Sequence, residues 1–176
     1  IRRNDYLKEL MRDYLKTVIP KLILAACLLL AQCSLAAELS GLVVGVSDGD
    51  TITVLSDKTP YKIRLAGIDA PESRQSFGQV SKQHLAALVY RKTVTVLWDK
   101  KDRYGRTLGK VIVDGKDVCL EQITAGLAWH YKRYASEQSA QDRADYASAE
   151  DRAKLDKVGL WIDAHPTPPW EWRRQK

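Results

Sequence analysis

From Tyr61 to Ala66 the chain alternates, with Tyr61, Ile63 and Leu65 separated by Lys62, Arg64 and Ala66. A period of two predicts a strand with one face in a core, so Arg64 points away from the side that takes Ile63 and Leu65. Gly67 marks a tight or bulged position, and Pro71 pushes Ala70 out of the helical region. Asp69, Ala70, Pro71 and Glu72 therefore form an extended or turned segment. One guanidinium and two carboxylates arrive together at the end of this strand. Similar apolar or β-branched runs predict strands over 39–46, 51–55, 93–98 and 107–113. Turn residues separate them at Ser47-Asp48-Gly49-Asp50, at Ser56-Asp57-Lys58-Thr59-Pro60 and at Asp114-Gly115, with Asp48-Gly49 read as a hairpin turn.

Helical spacing appears elsewhere. Val80, His84, Leu85 and Leu88 predict a helix over 79–91. Residues 118–125 form a short helix closed by Gly126. Residues 136–157 form a longer, charged helix with Ala140, Ala144, Ala147 and Leu155 inward. Trp129 is expected in the core, and Gly159-Leu160-Trp161 to fold the end of the long helix back onto the strands. The expected fold is α+β, a closed five-stranded Greek-key β-barrel with about three helices, because closure removes exposed strand edges. Its first three strands form a meander, which carries the Asp50 turn toward the end of the third strand and Asp69.

Composition changes the picture mainly at the front of the chain. Six of the 28 Lys/Arg and three of the 22 Asp/Glu lie in residues 1–36, so the remainder carries net +3 against +6 for the whole chain. That balance permits a polyanionic partner without arguing for one. Residues 22–33 form an apolar run of twelve, too short for a membrane span, which needs about twenty. It follows Lys16 and Lys21 and precedes Ser34-Leu35-Ala36. The expectation is a secretory signal peptide cut after Ala36, starting at Met11 with an upstream extension before it. The domains are then 1–36, 37–162 and a Pro/Trp-rich tail at 163–176. Cutting there removes Cys27 and Cys33 and leaves Cys119 as a buried, unpaired thiol.

The residues at the strand end suggest phosphate chemistry. Asp50, Asp69 and Glu72 offer hard oxygen ligands with no His or Cys cluster beside them, which favours Ca²⁺ or Mg²⁺ over zinc. Asp48 stands next to them as a supporting carboxylate. The plainer reading makes Asp48 and Asp50 turn formers and Asp69 a cap. Arg64 and Arg106 are two-pronged phosphate grips that stay charged at any working pH. Glu72 also suits the deprotonation of a water.

Three blocks, Asp48-Gly49-Asp50-Thr51, Ile63-Arg64-Leu65 through Ile68-Asp69-Ala70-Pro71-Glu72, and Asp102-Arg103-Tyr104-Gly105-Arg106, resemble the signatures of the thermonuclease (staphylococcal nuclease-like) family. The resemblance runs from about residue 39 to 161. It implies an OB-fold barrel, one Ca²⁺ and cleavage of DNA and RNA, single-stranded or denatured, toward 3′-phosphorylated products. It implies that Arg64, Glu72 and Arg106 are catalytic and that Asp50, Asp69 and the Ala70 backbone carbonyl are calcium ligands. Ala70 replaces the family's Thr, a change that a carbonyl ligand survives. Arg103 and Tyr104 are expected against substrate, and Tyr131 or Tyr134, from a segment resembling the substrate-flanking region, to stack on a base. The expected protein is a monomeric nuclease, secreted or periplasmic, without stable membrane association. The alternative is an OB-fold module that binds nucleic acid without cutting it, which would have no need of Glu72.

Overall fold

The structure is a computed structural model that describes residues 11, 12, 14–17 and 37–175. Residues 11, 12 and 14–17 are helical and belong to a unit distinct from the one formed by 36–176. The apolar run at 22–33 and the cleavage point at Ala36 lie outside the described residues. Among the described residues no helix is long and apolar enough to cross a membrane.

Five strands close a mixed barrel: β1 (Ala37–Val46), β2 (Thr51–Ser56), β3 (Thr59–Leu65), β5 (Thr93–Lys101) and β6 (Thr107–Val113). β3 pairs with β2, β2 with β1, β1 with β5 and β5 with β6, all antiparallel. A parallel seam between β3 and β6 shuts the ring, with Ile63 opposite Thr107 and Arg64 opposite Leu108. The alternation in the sequence becomes the two faces of this ring. Val43, Ile52, Val54, Ile63, Leu65, Val94, Val96, Val111 and Val113 fill the interior, while Arg64 takes the other face. A two-residue β4 (Ile68–Asp69) pairs with β8 (Trp129–His130), setting Asp69 opposite Trp129. β7 (Lys116–Asp117) pairs antiparallel with the end of β6. Four α-helices accompany the barrel: α1 (Gly78–Val89), α2 (Val118–Thr124), α3 (Ala140–Leu155) and a short α4 (Pro169–Trp172).

Several local expectations change on folding. The turn at Asp57-Lys58 has both residues at positive φ without a glycine, as the tight hairpin geometry requires. Gly49, read as a turn glycine, is not among the positive-φ residues. Its reason is space, because a Cβ there would collide with Ser81 Oγ on α1 and with the Ala70 methyl. Val80 is exposed, and Ser81, Leu85 and Val89 form the inward face of α1. α3 begins later than read, because the Ser139 hydroxyl accepts the Asp142 N–H at its start and residues Lys132–Glu137 form a 3₁₀ turn instead. Its inward face is Tyr146, Glu150 and Ala153, while Ala140 and Ala144 are exposed and Leu155 is 74% exposed. An apolar criterion misses this face because two of its three buried residues are polar and have partners. The Tyr146 hydroxyl donates to Asp117 Oδ2 (2.7 Å), and Glu150 accepts the His130 N–H, Lys132 and Lys154. Burial opposes the charge on Glu150, but the two lysines outweigh it and hold its carboxyl below the usual carboxylate range. Cys119 is buried as read, its thiol pushed up to about 12 by burial and by the nearby Asp117 charge.

Gly78 opens α1 where the backbone passes directly over the Glu72 carbonyl, and a Cβ there would overlap that oxygen. Gly78→Ala should therefore cost about 1–3 kcal/mol, as forced overpacking does, read as a lower urea midpoint at unchanged slope. An unchanged midpoint would show that the 72–78 turn gives way freely.

Candidate active site

The third strand delivers Arg64 to the rim of the barrel, where its guanidinium is used on both sides. Nη1 donates to the carbonyls of Leu65 (2.9 Å) and Ile68 (3.0 Å). Nη2 lies 3.0 Å from Asp50 Oδ2 and 2.8 Å from Asp69 Oδ1. Two carboxylates that are 6% and 1% exposed thus meet at one nitrogen. The meander brought Asp50 to Asp69, as the turn lengths implied.

Asp50 is further tied to backbone. Asp50 Oδ2 accepts the Ala70 N–H (2.7 Å), its Oδ1 accepts the Thr51 hydroxyl, and its own N–H donates to Asp48 Oδ1 (3.1 Å). The Asp48-Gly49-Asp50 turn is pressed onto the helices by a buried polar network. Gln122 Nε2 donates to the Gly49 carbonyl (2.6 Å), and the Ser81 hydroxyl donates to the Leu127 carbonyl (2.8 Å). His84 Nδ1 meets Gln122 Oε1 at 2.5 Å, so this histidine serves packing.

Glu72 joins through a residue the sequence reading did not single out. Arg173, just past α4, places Nη1 2.8 Å from Glu72 Oε1 and Nη2 2.7 Å from Asp69 Oδ2. Gln75 supports the same link, accepting the Glu72 N–H and donating to the Thr167 carbonyl of the tail. A run of Pro, Trp and Arg in the tail signals an ordered segment, but nothing local names partners 101 and 104 residues away.

Arg106 immediately precedes β6, whose Leu108 lies opposite Arg64 across the parallel seam. Asp102 holds Arg106 through Nε and Nη2, both at 2.7 Å, and accepts its N–H at 3.0 Å. Burial opposes the charge on Asp102, yet these bonds keep its carboxyl below its ordinary value. Arg103 and Arg106 both lie over the exposed Tyr104 ring, at 4.8 and 5.5 Å. Tyr131 and Tyr134 form an edge-on pair with centroids 5.4 Å apart.

The donor set suits a hard cation. Asp50, Asp69 and the Ala70 carbonyl offer only oxygen, and among the described residues no group of three or more His, Cys, Asp and Glu is arranged to hold a metal ion, this corner included. Burial pushes Asp50 up to about 7; Arg64 opposes the rise, while Asp48 and Asp69 reinforce it. A divalent ion there would be held by Asp50, Asp69 and the Ala70 carbonyl, and it would share Asp69 with the guanidinium groups of Arg64 and Arg173.

Residues 62–163 match the family described as staphylococcal nuclease homologue. The chain belongs to that family. It is 43% identical over 143 residues to an Escherichia coli O157:H7 protein named "Uncharacterized endonuclease", covering 81% of this chain and 90% of that one. A Shigella flexneri protein named "Micrococcal nuclease" is 40% identical over 161 residues, covering 86% and 90%. The Arabidopsis thaliana "Staphylococcal-like nuclease CAN1" is 40% identical over 116 residues, 66% of this chain and 34% of its own length.

Removing Arg64 leaves Asp50 and Asp69 buried without their shared counter-charge. Arg64→Ala should cost about 3 kcal/mol of stability at pH 7, the scale for breaking a buried pair. The loss should shrink toward about pH 5, below the value of about 7 near which Asp50 takes up a proton. Urea melts at the two pH values test this, and an equal loss at both would assign the effect to packing.

Proposed function

We propose that the chain is a Ca²⁺-dependent, sequence-nonspecific endonuclease that hydrolyses phosphodiester bonds of DNA and RNA and leaves 3′-phosphates. That it is a nuclease enzyme follows from its family and from relatives named as endonucleases and micrococcal nuclease. The observation that carries the finer reading is the meeting of Asp50, Asp69 and Arg64 at one nitrogen, with Glu72 joined to Asp69 through Arg173. The leader-like run at 22–33 supports action in the periplasm or outside the cell.

The chain's own residues divide the work. Glu72 Oε1 is held by Arg173, and Oε2 takes a proton from the attacking water. The water oxygen bonds to phosphorus as the bond from phosphorus to the 5′ oxygen breaks, and the leaving oxygen takes a proton from solvent. Arg64, on β3, and Arg106, at the entrance to the adjoining β6, oppose the negative charge that grows on the phosphoryl oxygens. Their rigid anchorage, Arg64 on two carbonyls and Arg106 on Asp102, means little reorganisation is required when that charge appears. A bound divalent ion would add a further positive charge at the phosphate and favour the ionised form of Asp50.

Residues 37–176 should digest denatured DNA with Ca²⁺ and stop when a chelator is added. Glu72→Gln should lower kcat by about 10²–10⁴ and Arg106→Ala by about 10²–10³, with oligonucleotide affinity kept in the first. Digestion by Glu72→Gln at the parent rate would remove Glu72 from the role of base.

A further inference from the structure

The tail that carries Arg173 lies beyond the residues matched to the family, which end at 163. It forms one wall of a groove of about 490 Å³ whose opposite wall is the segment from Trp129 to Arg133. That volume falls in the range of ligand clefts. We propose that the tail adds Trp170 and Arg174 to the substrate surface of the 131–134 segment, so that this groove takes one unpaired base and its phosphate from the strand whose scissile bond lies at Arg64 and Glu72. The proposal rests on the nuclease reading and extends it to residues outside the matched family region.

The groove is aromatic inside and cationic at its rim. Trp170 tilts 34° against Tyr131 with centroids 5.4 Å apart and meets Trp129 edge-on at 6.3 Å. Trp129 is buried, whereas Trp170 and Tyr131 are half-exposed, so the latter two offer ring surface to a base. Two of the lining cations are already engaged, since Lys132 and Lys154 both bind Glu150. The other two are not: Arg133 lies over the Tyr134 ring, and among the described residues neither it nor Arg174 pairs with a carboxylate. Opposed to these two is a single unpaired lining carboxylate, Glu171. Stacking surface with guanidinium at the edge is what an unpaired nucleotide of any sequence requires.

The groove is also joined to the reaction centre from both walls. On one wall, Trp170 and Arg174 flank Arg173, whose guanidinium rests on Asp69 and Glu72. On the other, Trp129 is the β8 partner of Asp69. A strand leaving the centre along the tail enters the groove at once.

The test is fluorescence anisotropy of a labelled single-stranded oligodeoxynucleotide of about eight residues, with chelator present so that nothing is cut. Trp170→Ala should weaken binding about 5- to 100-fold, the value of one base–aromatic stack, and Trp170→Phe should recover part of it. Arg174→Ala should weaken binding and reduce the salt slope by about 0.7. Glu171→Gln should tighten it, and Arg152→Ala, whose partner is Asp156 outside the groove, should change nothing. Parent-like affinity in both Trp170→Ala and Arg174→Ala overturns the subsite, as does an equal loss in Arg152→Ala. Should Trp170→Ala fail to fold, the exposed positions 171 and 174 decide alone, by the opposite signs expected of them. Cleavage is scored separately. A parent that binds through Trp170 but cuts nothing with Ca²⁺ sinks the nuclease reading, and a parent that cuts with KM unaffected by Trp170→Ala sinks only the groove.

Discussion

One nitrogen of Arg64 lies within 3.0 Å of both Asp50 and Asp69, and the corner of the barrel is arranged to make that possible. Two buried carboxylates repel each other and lose their hydration, so neither stays ionised beside the other without a shared counter-charge. The strand end, the β4 bridge and the 47–50 turn each contribute an atom to the clasp. Leu65 and Ile68 give carbonyls, and Ala70 gives an N–H. The guanidinium is thereby a structural clip and a pre-aimed charge at once. Asp50 still sits well above its ordinary value. Burial is the largest cause of that rise, with Asp48 and Asp69 adding to it and Arg64 opposing it.

Around that clasp, buried polar contacts set positions that apolar packing alone would leave loose. The Gln122 amide reaches from α2 to the Gly49 carbonyl, so the Asp48–Asp50 turn is referenced to two helices rather than to solvent. On the other side, Glu150 fixes the β8 backbone through the His130 N–H, and with it the start of the 131–134 segment. A fully satisfied polar network of this kind specifies geometry more sharply than hydrophobic contact, which tolerates sliding. Both networks end beside residues assigned to the chemistry.

Much of this was legible in the chain because the barrel strands obey period two. Ile63 and Leu65 against Arg64 is read correctly from alternation alone, and short turns bring Asp50 to Asp69. The misreadings share a cause. Glu150 and Tyr146 were passed over as inward residues of α3 because a polarity pattern assigns them to water, and only their partners 4 to 29 residues away show otherwise. Gly49 was read for its backbone freedom, when its function is to let Ser81 and Ala70 approach. Arg173 had no local signature, since an ion pair spanning more than a hundred residues leaves no periodic trace. Local rules reach as far as local causes do.

The parallel seam between β3 and β6 has a kinetic meaning. It joins residues 63 and 107, 44 positions apart, with α1 and β5 lying between them, and with the β1–β5 pairing, 51 to 61 positions apart, it is one of the two long closures of the barrel. Pairings of high sequence separation tend to form late. Yet this seam alone brings the strand of Arg64 beside the strand that follows Arg106. An open-seamed intermediate would hold most of its hydrophobic interior while keeping Arg64 and Arg106 apart. Recovery of hydrolysis during refolding then times one event, the locking of the ring, separately from the collapse that precedes it.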